Sequence, residues 1–429
     1  MYRRRFIQAV SAAAGLTVLS PAKGQASSYK GMEEGASWRK QALARIERHR
    51  KTDFHISVND AQGNPISGVD VELRLRRHEF GFGAAVRPQA LFGNRYHRGD
   101  SEEYRKITSH YFHRLTVENG MKWKHQATAA PLMEPFLDWC LEEDLPVRGH
   151  CLVWPKFIRI PPELHKLRDD PAMLDLTIDN YIKNMLQRYG APLIEWDVLN
   201  EPRTHTEFME ILGPKVVDKW FSLAQQYRPE LTRYINEYGV LTRNNPNHRQ
   251  QYYDYIQTLL DRGVPLQGIG FQSHIPAAYA PTPPSELLAI LDEFSSFGLD
   301  LQVTEFDFET KNKRLQAIYT MDFMIAVFSH PATKGLVTWT PYAYGDNSAG
   351  KLDAAMFDRD LSELPNGRIW NDMVNGVWTT RVNAPTNLQG QVDFRGFHGK
   401  YDVRLKAGKR TISQRVVLNA KSREAVLTL

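Results

Sequence analysis

Short apolar or β-branched runs recur between residues 79 and 342 at intervals of about 30–50 residues, and amphipathic helical patterns lie between them. Each run has the length of a buried strand. Regular alternation of such strands with helices is typical of βα units around a parallel barrel. The runs are residues 80–86, 114–118, 147–154, 194–200, 233–236, 268–274, 301–304 and 336–339. The pattern therefore predicts an α/β fold, a (β/α)8 TIM barrel over residues 79–378.

Small β-rich segments flank the predicted barrel on both sides. Residues 32–52 are rich in charged helix formers, and the runs 54–58 and 69–75 alternate around a polar turn. This predicts a helix and a β-hairpin within residues 27–78. Residues 379–429 contain further strand-like runs separated by turns that contain Gly. We expect this C-terminal segment to complete the N-terminal hairpin as a structural lid; the alternative is a ligand-binding module.

Polar and aromatic residues stand at the ends of seven of the eight predicted strands. The active site of a (β/α)8 barrel lies at the carboxyl ends of its strands, because the loops there meet in one bowl. Ordinary solvated strand ends would explain one or two such positions, but not so consistent a set. The residues are Glu118, Asn119, His150, Trp154, Asn200, Glu201, Asn236, Glu237, Gln272, His274, Glu305, Asp307 and Trp339.

The composition is that of a soluble globular protein, with 42% hydrophobic and 24% charged residues. The formal charge of +5 includes Arg3, Arg4, Arg5 and Lys23, and without them the chain carries about +1. Nucleic-acid binding needs a basic face, and the sequence shows none. We therefore expect no nucleic-acid partner.

The first 26 residues have the order of an export signal. A charged start is followed by a short, weakly apolar run and then by small residues up to about Ala26. The cluster Arg3-Arg4-Arg5-Phe6 is similar to a twin-arginine signal, with a generic Sec signal or a disordered basic tail as alternatives. The apolar run is too short for a transmembrane helix. The sequence thus predicts export to the periplasm or the medium, without a membrane span.

Cys140 and Cys151 are the two cysteines of the chain. They could pair in an oxidising compartment, but two thiols make no disulfide framework, and we expect no bridge. The sequence has no Cys/His cluster and no Gly-rich phosphate loop, so we expect neither a metal nor another cofactor. The oligomeric state is left open.

Glu201 and Glu305 are the candidate pair for acid–base chemistry. Hydrolysis of a glycosidic bond needs one carboxyl group to protonate the leaving oxygen and a second to attack the anomeric carbon or activate water. The two residues follow the fourth and seventh predicted strands, near opposite sides of a narrow barrel. This placement favours a carboxyl separation of about 5–5.5 Å, which predicts retention of configuration. Proximity raises one of the two pKa values, which keeps one group protonated beside a charged partner.

Five segments resemble those of glycoside hydrolase family 10, the endo-β-1,4-xylanases. They are FHRLTVENGMKW, VRGHCLVW, WDVLNEP, GIGFQSH and LQVTEFD, and they occur in the order of the family and at similar spacing. Any one of them is a weak signal, whereas the five together are specific. The resemblance covers about residues 54–375. It implies a retaining endo-β-1,4-xylanase that cleaves the polysaccharide xylan by double displacement, without a cofactor.

Carried over by position, the resemblance implies Glu201 as the general acid/base and Glu305 as the nucleophile. His274 would orient the nucleophile, and Asn200 would hold the 2-hydroxyl group of the sugar at the cleaved bond. His205 would be either a site residue or a solvated loop residue. For Glu118, Lys122 and Asp307 the alternative is a buried ion-pair network. The remaining implied sugar-binding residues are Glu118, Asn119, Lys122, His150, Trp154, Gln272 and Trp339.

Three neighbourhoods depart from the family pattern. After the fifth strand the family has Asn-Asp-Tyr-Asn, whereas this chain has Asn236-Glu237-Tyr238-Gly239. After Trp154 the family has His-Ser-Gln, whereas this chain has Pro155-Lys156-Phe157, so side chains that help to hold the next sugar are missing. Ala349 stands where the family has a Trp, which removes a stacking face worth on the order of 1 kcal/mol. These changes leave the catalytic pair intact but alter the neighbouring subsites.

Two other functions therefore stay open. A related retaining β-glycosidase or transglycosylase on another β-glycan is favoured by the altered subsites. A non-catalytic carbohydrate-binding protein is disfavoured, because both carboxyl groups and their supports Asn200 and His274 are present. The sequence does not indicate the preferred decoration, the endo or exo preference, or whether the terminal segments bind carbohydrate.

Overall fold

The computed structural model describes residues 28–93, 101–242, 244–339, 341–343 and 352–429. The predicted export signal and Ala349 lie outside the described residues. Within the described ranges, no helix is both long enough and apolar enough to cross a membrane.

The strands of the described chain form one closed barrel and two smaller sheets. In chain order they are β1 (Lys51–Asn59), β2 (Asp70–His78), β3 (Gly81–Val86), β4 (Arg114–Val117), β5 (Val147–Gly149), β6 (Leu193–Asn200), β7 (Thr232–Tyr238), β8 (Gly268–Gln272), β9 (His274–Ile275), β10 (Asp300–Phe308), β11 (Thr333–Thr338), β12 (Arg381–Pro385), β13 (Gln391–Phe397), β14 (Gly399–Ala407), β15 (Arg410–Leu418) and β16 (Glu424–Thr428).

The barrel consists of β3 to β8 followed by β10 and β11, all parallel. It closes because β11 pairs with both β10 and β3, for example through Leu336 opposite Val303 and Phe82. Each of these strands overlaps one of the eight predicted runs. The predicted (β/α)8 barrel is therefore confirmed, and the short strand β9 extends it beside the end of β10.

Helices follow the barrel strands as the pattern predicted. Three helices are capped by Asp170, Asn245 and Asn312. Each of these side chains accepts a hydrogen bond from the backbone N–H of the residue three positions later in the chain. The α-helices are Ser37–His49, Pro88–Phe92, Ser101–Tyr111, Gln126–Glu142, Pro171–Arg188, Glu207–Leu212, Val216–Tyr227, Pro246–Asp261, Pro284–Ser295, Lys313–Ser329 and Pro365–Asn371. Short 3-10 helices lie at Trp123–His125, Phe157–Arg159, Pro162–Asp169 and Leu352–Ala354, and a π-helix lies at Asp372–Val377.

The predicted β-hairpin is wrong in its pairing. Strand β1 pairs with β13 and β16, whereas β2 pairs with β12 and β14, so the two N-terminal strands lie in different sheets. Each N-terminal strand finds its partners more than 300 residues further along the chain. The C-terminal strands thus do join the N-terminal ones, as expected of a structural lid, but through two sheets instead of one.

A polar layer fills the barrel interior below the strand ends. Arg114 donates to Glu195 at 3.1 Å and to Gln302 at 2.9 Å. Arg148, which is fully buried, forms an ion pair with Asp197. The charge of each buried residue is balanced by a partner, as burial of ions requires. The layer gives the residues above it a rigid floor.

Candidate active site

The residues singled out from the sequence lie at the carboxyl ends of the barrel strands. Asn200 and Gln272 are the last residues of β6 and β8, and Glu305 lies within β10. Asn236, Glu237 and Asp307 also lie near the carboxyl ends of their strands, and His274 begins β9. The others follow a strand within a few residues, and Trp154 is in the segment after β5. In a parallel barrel these ends share one face, so the side chains meet in a single bowl.

Glu305 is 4% exposed and is held by hydrogen bonds on both carboxylate oxygens. Asn236 donates to Oε1 at 2.9 Å, and Nε2 of His274 lies 3.1 Å from Oε2. His150 approaches Oε1 at 3.9 Å. Burial by itself raises the pKa of Glu305, but the hydrogen bond from His274 and the charges of His150 and His274 outweigh it and lower the pKa to about 2. Glu305 is therefore ionised at neutral pH.

His274 bridges two carboxylates. Its Nδ1 lies 2.8 Å from Oδ2 of Asp307, and its Nε2 points to Glu305. Burial opposes the charged ring, but the negative charge and hydrogen bond of Asp307, together with Glu305, raise the pKa of His274 to about 9. At neutral pH the ring is thus a cation that donates to both carboxylates.

Glu201 follows β6 directly and is 8% exposed. Gln272 donates to Oε1 at 3.0 Å, and the indole N–H of Trp154 donates to Oε2 at 3.1 Å. Burial is the main reason that the pKa of Glu201 is raised to about 7, and the negative charge of Glu305 adds to the shift. Glu201 therefore holds a proton much more readily than Glu305 does.

The backbone at Glu201 adopts a left-handed conformation, with a φ of 55°. Such a conformation costs a non-glycine residue roughly 1 kcal/mol or more, and it is found mainly where the surrounding structure imposes it. Here the N–H of Glu201 donates to the carbonyl of Asn236 at 2.8 Å, and the N–H of His205 donates back to the carbonyl of Glu201 at 3.0 Å. The turn brings the His205 ring to 3.1 Å from Oε2 of Glu201.

Two amide side chains connect Glu201 with Glu305. Gln272 donates both to Glu201 and to Oδ1 of Asn200, the latter at 3.3 Å. Asn236 donates to the same oxygen of Asn200 at 3.0 Å and to Glu305. The two carboxyl groups therefore belong to one hydrogen-bonded network, and neither can shift without disturbing the other.

The other predicted residues line the bowl around this network. Lys122 donates to Asn119 at 3.3 Å, and its ammonium group lies 5.4 Å from the ring centre of Trp154 and 5.2 Å from that of Trp339. Trp339 packs edge-on against His150. These contacts bring aromatic faces and hydrogen-bond donors to the same opening.

Glu118 and Asp307 both form ion pairs, which was the alternative to a sugar-binding role for these residues. Arg87 binds the two carboxylate oxygens of Glu118 at 2.8 and 3.0 Å, and Asp307 binds His274. For Asp307 the pair acts on the site, because the ring it charges touches Glu305. For Glu118, the carboxylate is half of a bidentate pair at the rim.

Sequence reasoning missed several residues of the network. Asn236 was noted as a strand end but was not included in the site, although it joins Asn200 to Glu305. Asp197 was missed altogether, and it holds Nδ1 of His150 at 2.8 Å. A signal was present for Asp197, since residues 195 and 197 alternate with apolar residues on β6 and so point into the barrel.

The segment that follows Trp154 also covers part of its indole ring. Residues 155–160 turn so that the guanidinium of Arg159 lies 3.7 Å from the centre of the Trp154 ring. That contact occupies one face of the indole.

Cys140 and Cys151 are both buried and carry free thiols.

Asp307→Asn is expected to lower the pKa of His274 by roughly 1–2 units, because the largest favourable contribution to the charged ring is removed. An NMR titration of the histidine rings measures this directly. The matched control is Asp292→Asn, which removes an exposed carboxylate from His330 and should leave His274 unchanged. An unchanged pKa of His274 in Asp307→Asn would contradict the proposed electrostatics.

Comparisons with known proteins agree on one family. The sequence model of glycosyl hydrolase family 10 matches residues 74–365. The anti-sigma-I factor RsgI6 of Acetivibrio thermocellus is 27% identical over 90% of this chain and 49% of its own length. Endo-1,4-beta-xylanase 1 of Arabidopsis thaliana is 23% identical over 85% of this chain and 38% of its own. The chain thus spans half or less of the length of these relatives.

Solved structures share the fold. Native xylanase 10B of Thermotoga maritima superposes with a TM-score of 0.60 at 23% identity, over 70% of this chain and 95% of that one. The intracellular xylanase TsXylA of Thermoanaerobacterium saccharolyticum gives 0.58 at 24% identity, over 68% of this chain and 95% of that one. At these identities the likeness concerns the barrel architecture.

Proposed function

This chain belongs to glycosyl hydrolase family 10, and we propose that it cleaves internal β-1,4 linkages of xylan with retention of configuration. The observation that carries the proposal is a pair of buried carboxyl groups in one hydrogen-bonded network, in which Gln272 and Trp154 hold Glu201 while Asn236 and His274 hold Glu305. The pKa of Glu201 is raised to about 7, and the pKa of Glu305 is lowered to about 2. One proton donor and one anionic nucleophile at the same pH are what double displacement requires.

In the first step Glu201 gives its proton to the glycosidic oxygen while Glu305 attacks the anomeric carbon. The bond from that carbon to the leaving oxygen breaks, and a glycosyl ester forms on Glu305. Glu201 has given up its proton and is left as a carboxylate, and because the ester is neutral, the charge of Glu305 no longer favours its reprotonation. In the second step the Glu201 carboxylate takes a proton from water, the water oxygen attacks the anomeric carbon, and Glu305 leaves as a carboxylate.

The neighbours of the carboxyl groups have separate tasks in this scheme. His274, charged by Asp307, keeps Glu305 ionised and fixes the plane of its carboxylate. Asn236 donates to Oε1 of Glu305 and to Oδ1 of Asn200. The buried amide nitrogen of Asn200, which has no hydrogen-bond partner among the described residues, would bind the 2-hydroxyl group. Glu118, Asn119, Lys122, His150, Trp154, Gln272 and Trp339 would bind the sugar chain.

The substrate assignment rests on the five family segments and on the names of several relatives. A different β-glycan is the second candidate, and one observation favours it. Arg159 covers a face of Trp154, in the neighbourhood where the family's His and Gln are replaced. Such a change alters the contacts to the sugar next to the cleaved bond without touching the catalytic pair.

Release of reducing ends from β-1,4-xylan by the purified protein tests the proposal. We expect release of mixed short oligosaccharides from xylan, and little from β-1,4-glucan or β-1,4-mannan in the same assay. Release from another of these polymers alone would replace xylan by that glycan. No release from any of them by folded protein would favour a carbohydrate-binding function.

The pH dependence of kcat/KM should be bell-shaped. Activity requires Glu305 to be ionised, so it falls as the pH drops through the pKa of Glu305, about 2. Activity also requires Glu201 to be protonated, so it falls as the pH rises through the pKa of Glu201, about 7. Initial rates on a soluble xylo-oligosaccharide measure both limbs. A rate that keeps rising above pH 8 would argue against Glu201 as the acid.

We also propose export of the protein and a division into the barrel, residues 79–378, and its flanking segments. Support for export comes from the basic and apolar order of the first 26 residues. Expression with its natural start in a host that has a twin-arginine pathway should place the mature protein outside the cytoplasm, beginning near residue 27. Intact mass measures the start. Retention of the full chain in the cytoplasm would contradict export.

A further inference from the structure

The segment after Trp154 places one cation, Arg159, near Glu201 and a second, Lys156, near His205. Arg159 lies with its guanidinium 3.7 Å from the centre of the Trp154 ring, and the same indole donates to Glu201. Lys156 is three residues earlier, at the start of the turn Phe157–Arg159. The guanidinium is therefore separated from the proposed acid by the width of one side chain.

This segment is held firmly in its position. The Phe157 side chain is 3% exposed and packs edge-on against Phe208, and its N–H donates to Glu207 at 2.9 Å. Arg168 lies over the other side of Phe157 and pairs with Glu207 at 3.3 Å. Because the turn is anchored at Phe157, the direction in which Arg159 leaves it is fixed.

Within the described ranges, no protein carboxylate forms an ion pair with Arg159 or Lys156, although the charge of Arg159 reaches Glu201 and counteracts part of the rise in its pKa. Among the described residues, Arg159 has no acidic group within 4.0 Å, and its buried Nε has no hydrogen-bond partner. The carboxylates that stand nearby are otherwise engaged. Glu207 binds the Phe157 N–H and Arg168, while Glu118 binds Arg87.

Besides burial, the positive charge of Arg159 lowers the pKa values of two neighbouring histidines, His205 and His125. Burial lowers the pKa of His205 to about 4, and the charges of Arg159 and Lys156 add to the shift. Burial also lowers the pKa of His125, with contributions from Lys122 and Arg159. Arg159 thus lies close enough to residues on two sides of the bowl to influence both. Arg159 and Lys156 therefore give this side of the bowl a positive charge that a bound ligand would meet.

We propose that Arg159 and Lys156 bind the carboxylate of an acidic sugar substituent, so that the preferred substrate is a β-glycan that carries uronic-acid residues. This inference rests on the proposed function, since it concerns the same bowl. A guanidinium presents paired donors that match a carboxylate, and such charge-assisted hydrogen bonds are about twice as strong as neutral ones. Because Arg159 already covers that face of Trp154, a neutral sugar cannot stack there.

The test compares two ligands that differ only in charge. One is a xylo-oligosaccharide with a glucuronic-acid branch, and the other is the same compound with its carboxyl group reduced to an alcohol. Dissociation constants are measured by calorimetry at low salt, and kcat/KM is measured on the same pair. Binding is included because it does not depend on catalysis.

We expect the parent protein to prefer the acidic ligand about tenfold or more in both measurements. Arg159→Gln should remove most of this preference, and Lys156→Gln should remove a smaller part. Lys166→Gln is the matched control, because it removes an exposed cation from the neighbouring turn and should keep the preference. Raising the salt concentration should reduce the preference of the parent.

The outcomes separate this inference from the proposed function. Equal binding and equal turnover of the two ligands by the parent would overturn the inference and leave the xylanase proposal intact. A preference that persists in Arg159→Gln and in Lys156→Gln, with folding confirmed by circular dichroism, would also overturn it. Preferential binding without any hydrolysis would support the inference and overturn the proposed activity.

Discussion

Replacement of Glu305 by Ala is expected to reduce kcat on xylan by about 10⁴-fold or more, because it removes the carboxylate that forms the glycosyl ester. The structure gives a reason why a neighbour cannot substitute for it. Asp307 is bound to His274, and Asn236 is an amide with no nucleophilic oxygen anion. Initial rates on xylan and on an aryl β-xylobioside measure the loss.

Small anions should partly restore this variant. Azide can occupy the space left by the carboxylate and attack the anomeric carbon from the side of residue 305. We therefore expect rescue with formation of an α-glycosyl azide, which NMR identifies. Asp300→Asn is the matched control, since it removes an exposed carboxylate at the amino end of the same strand and should keep the activity of the parent. A fully active Glu305→Ala variant would exclude Glu305 as the nucleophile.

The second large effect is expected for Glu201→Ala. General acid catalysis contributes about 10²–10⁴-fold, so hydrolysis of xylan, whose leaving group is a poor one, should fall by that amount. A dinitrophenyl glycoside needs no protonation, and its first step should be nearly unaffected. Its second step should be slow, because no base activates water, and a burst of dinitrophenol should appear.

Azide distinguishes this variant from the previous one. It should attack the glycosyl ester on Glu305 and give a β-glycosyl azide, the opposite anomer. Glu210→Gln, an exposed residue of the following helix, is the control and should behave as the parent does. If Glu201→Ala lost equal activity on xylan and on the dinitrophenyl glycoside, the residue would not be the acid.

The barrel could be predicted because its signal is repeated along the chain. Each strand is a short apolar run, seven of the eight runs end in polar or aromatic residues, and the carboxyl ends of parallel strands share one face. Glu201, Glu305 and His274 could therefore be placed in one bowl from their positions alone. Their distances and hydrogen bonds could not, because strand periodicity indicates a face and not a contact.

The pairing of β1 and β2 shows where local patterns fail. Two alternating runs around a polar turn are the usual signal for a hairpin. Here the better partners come from the last 50 residues of the chain, and a local pattern carries no information about them. The same limit applies to Arg159, whose place over Trp154 depends on the turn at Phe157.

The polar residues inside the barrel were partly predictable, unlike the pairing of β1 and β2. Arg148 with His150, and Glu195 with Asp197, are spaced by two on their strands and so point the same way. That spacing could have identified a buried polar layer beneath the site. Which cation meets which carboxylate depends on the stagger between strands, which the sequence does not encode locally.

The most direct test of the central claim is to trap the intermediate with an activated 2-deoxy-2-fluoro-β-xylobioside. Fluorine at C2 slows both steps, while the good leaving group lets the first one proceed, so the glycosyl ester accumulates. Peptide mass spectrometry should then find one fluorinated xylobiosyl group on Glu305. A label on another residue, or no label in protein that hydrolyses xylan, would contradict double displacement through Glu305.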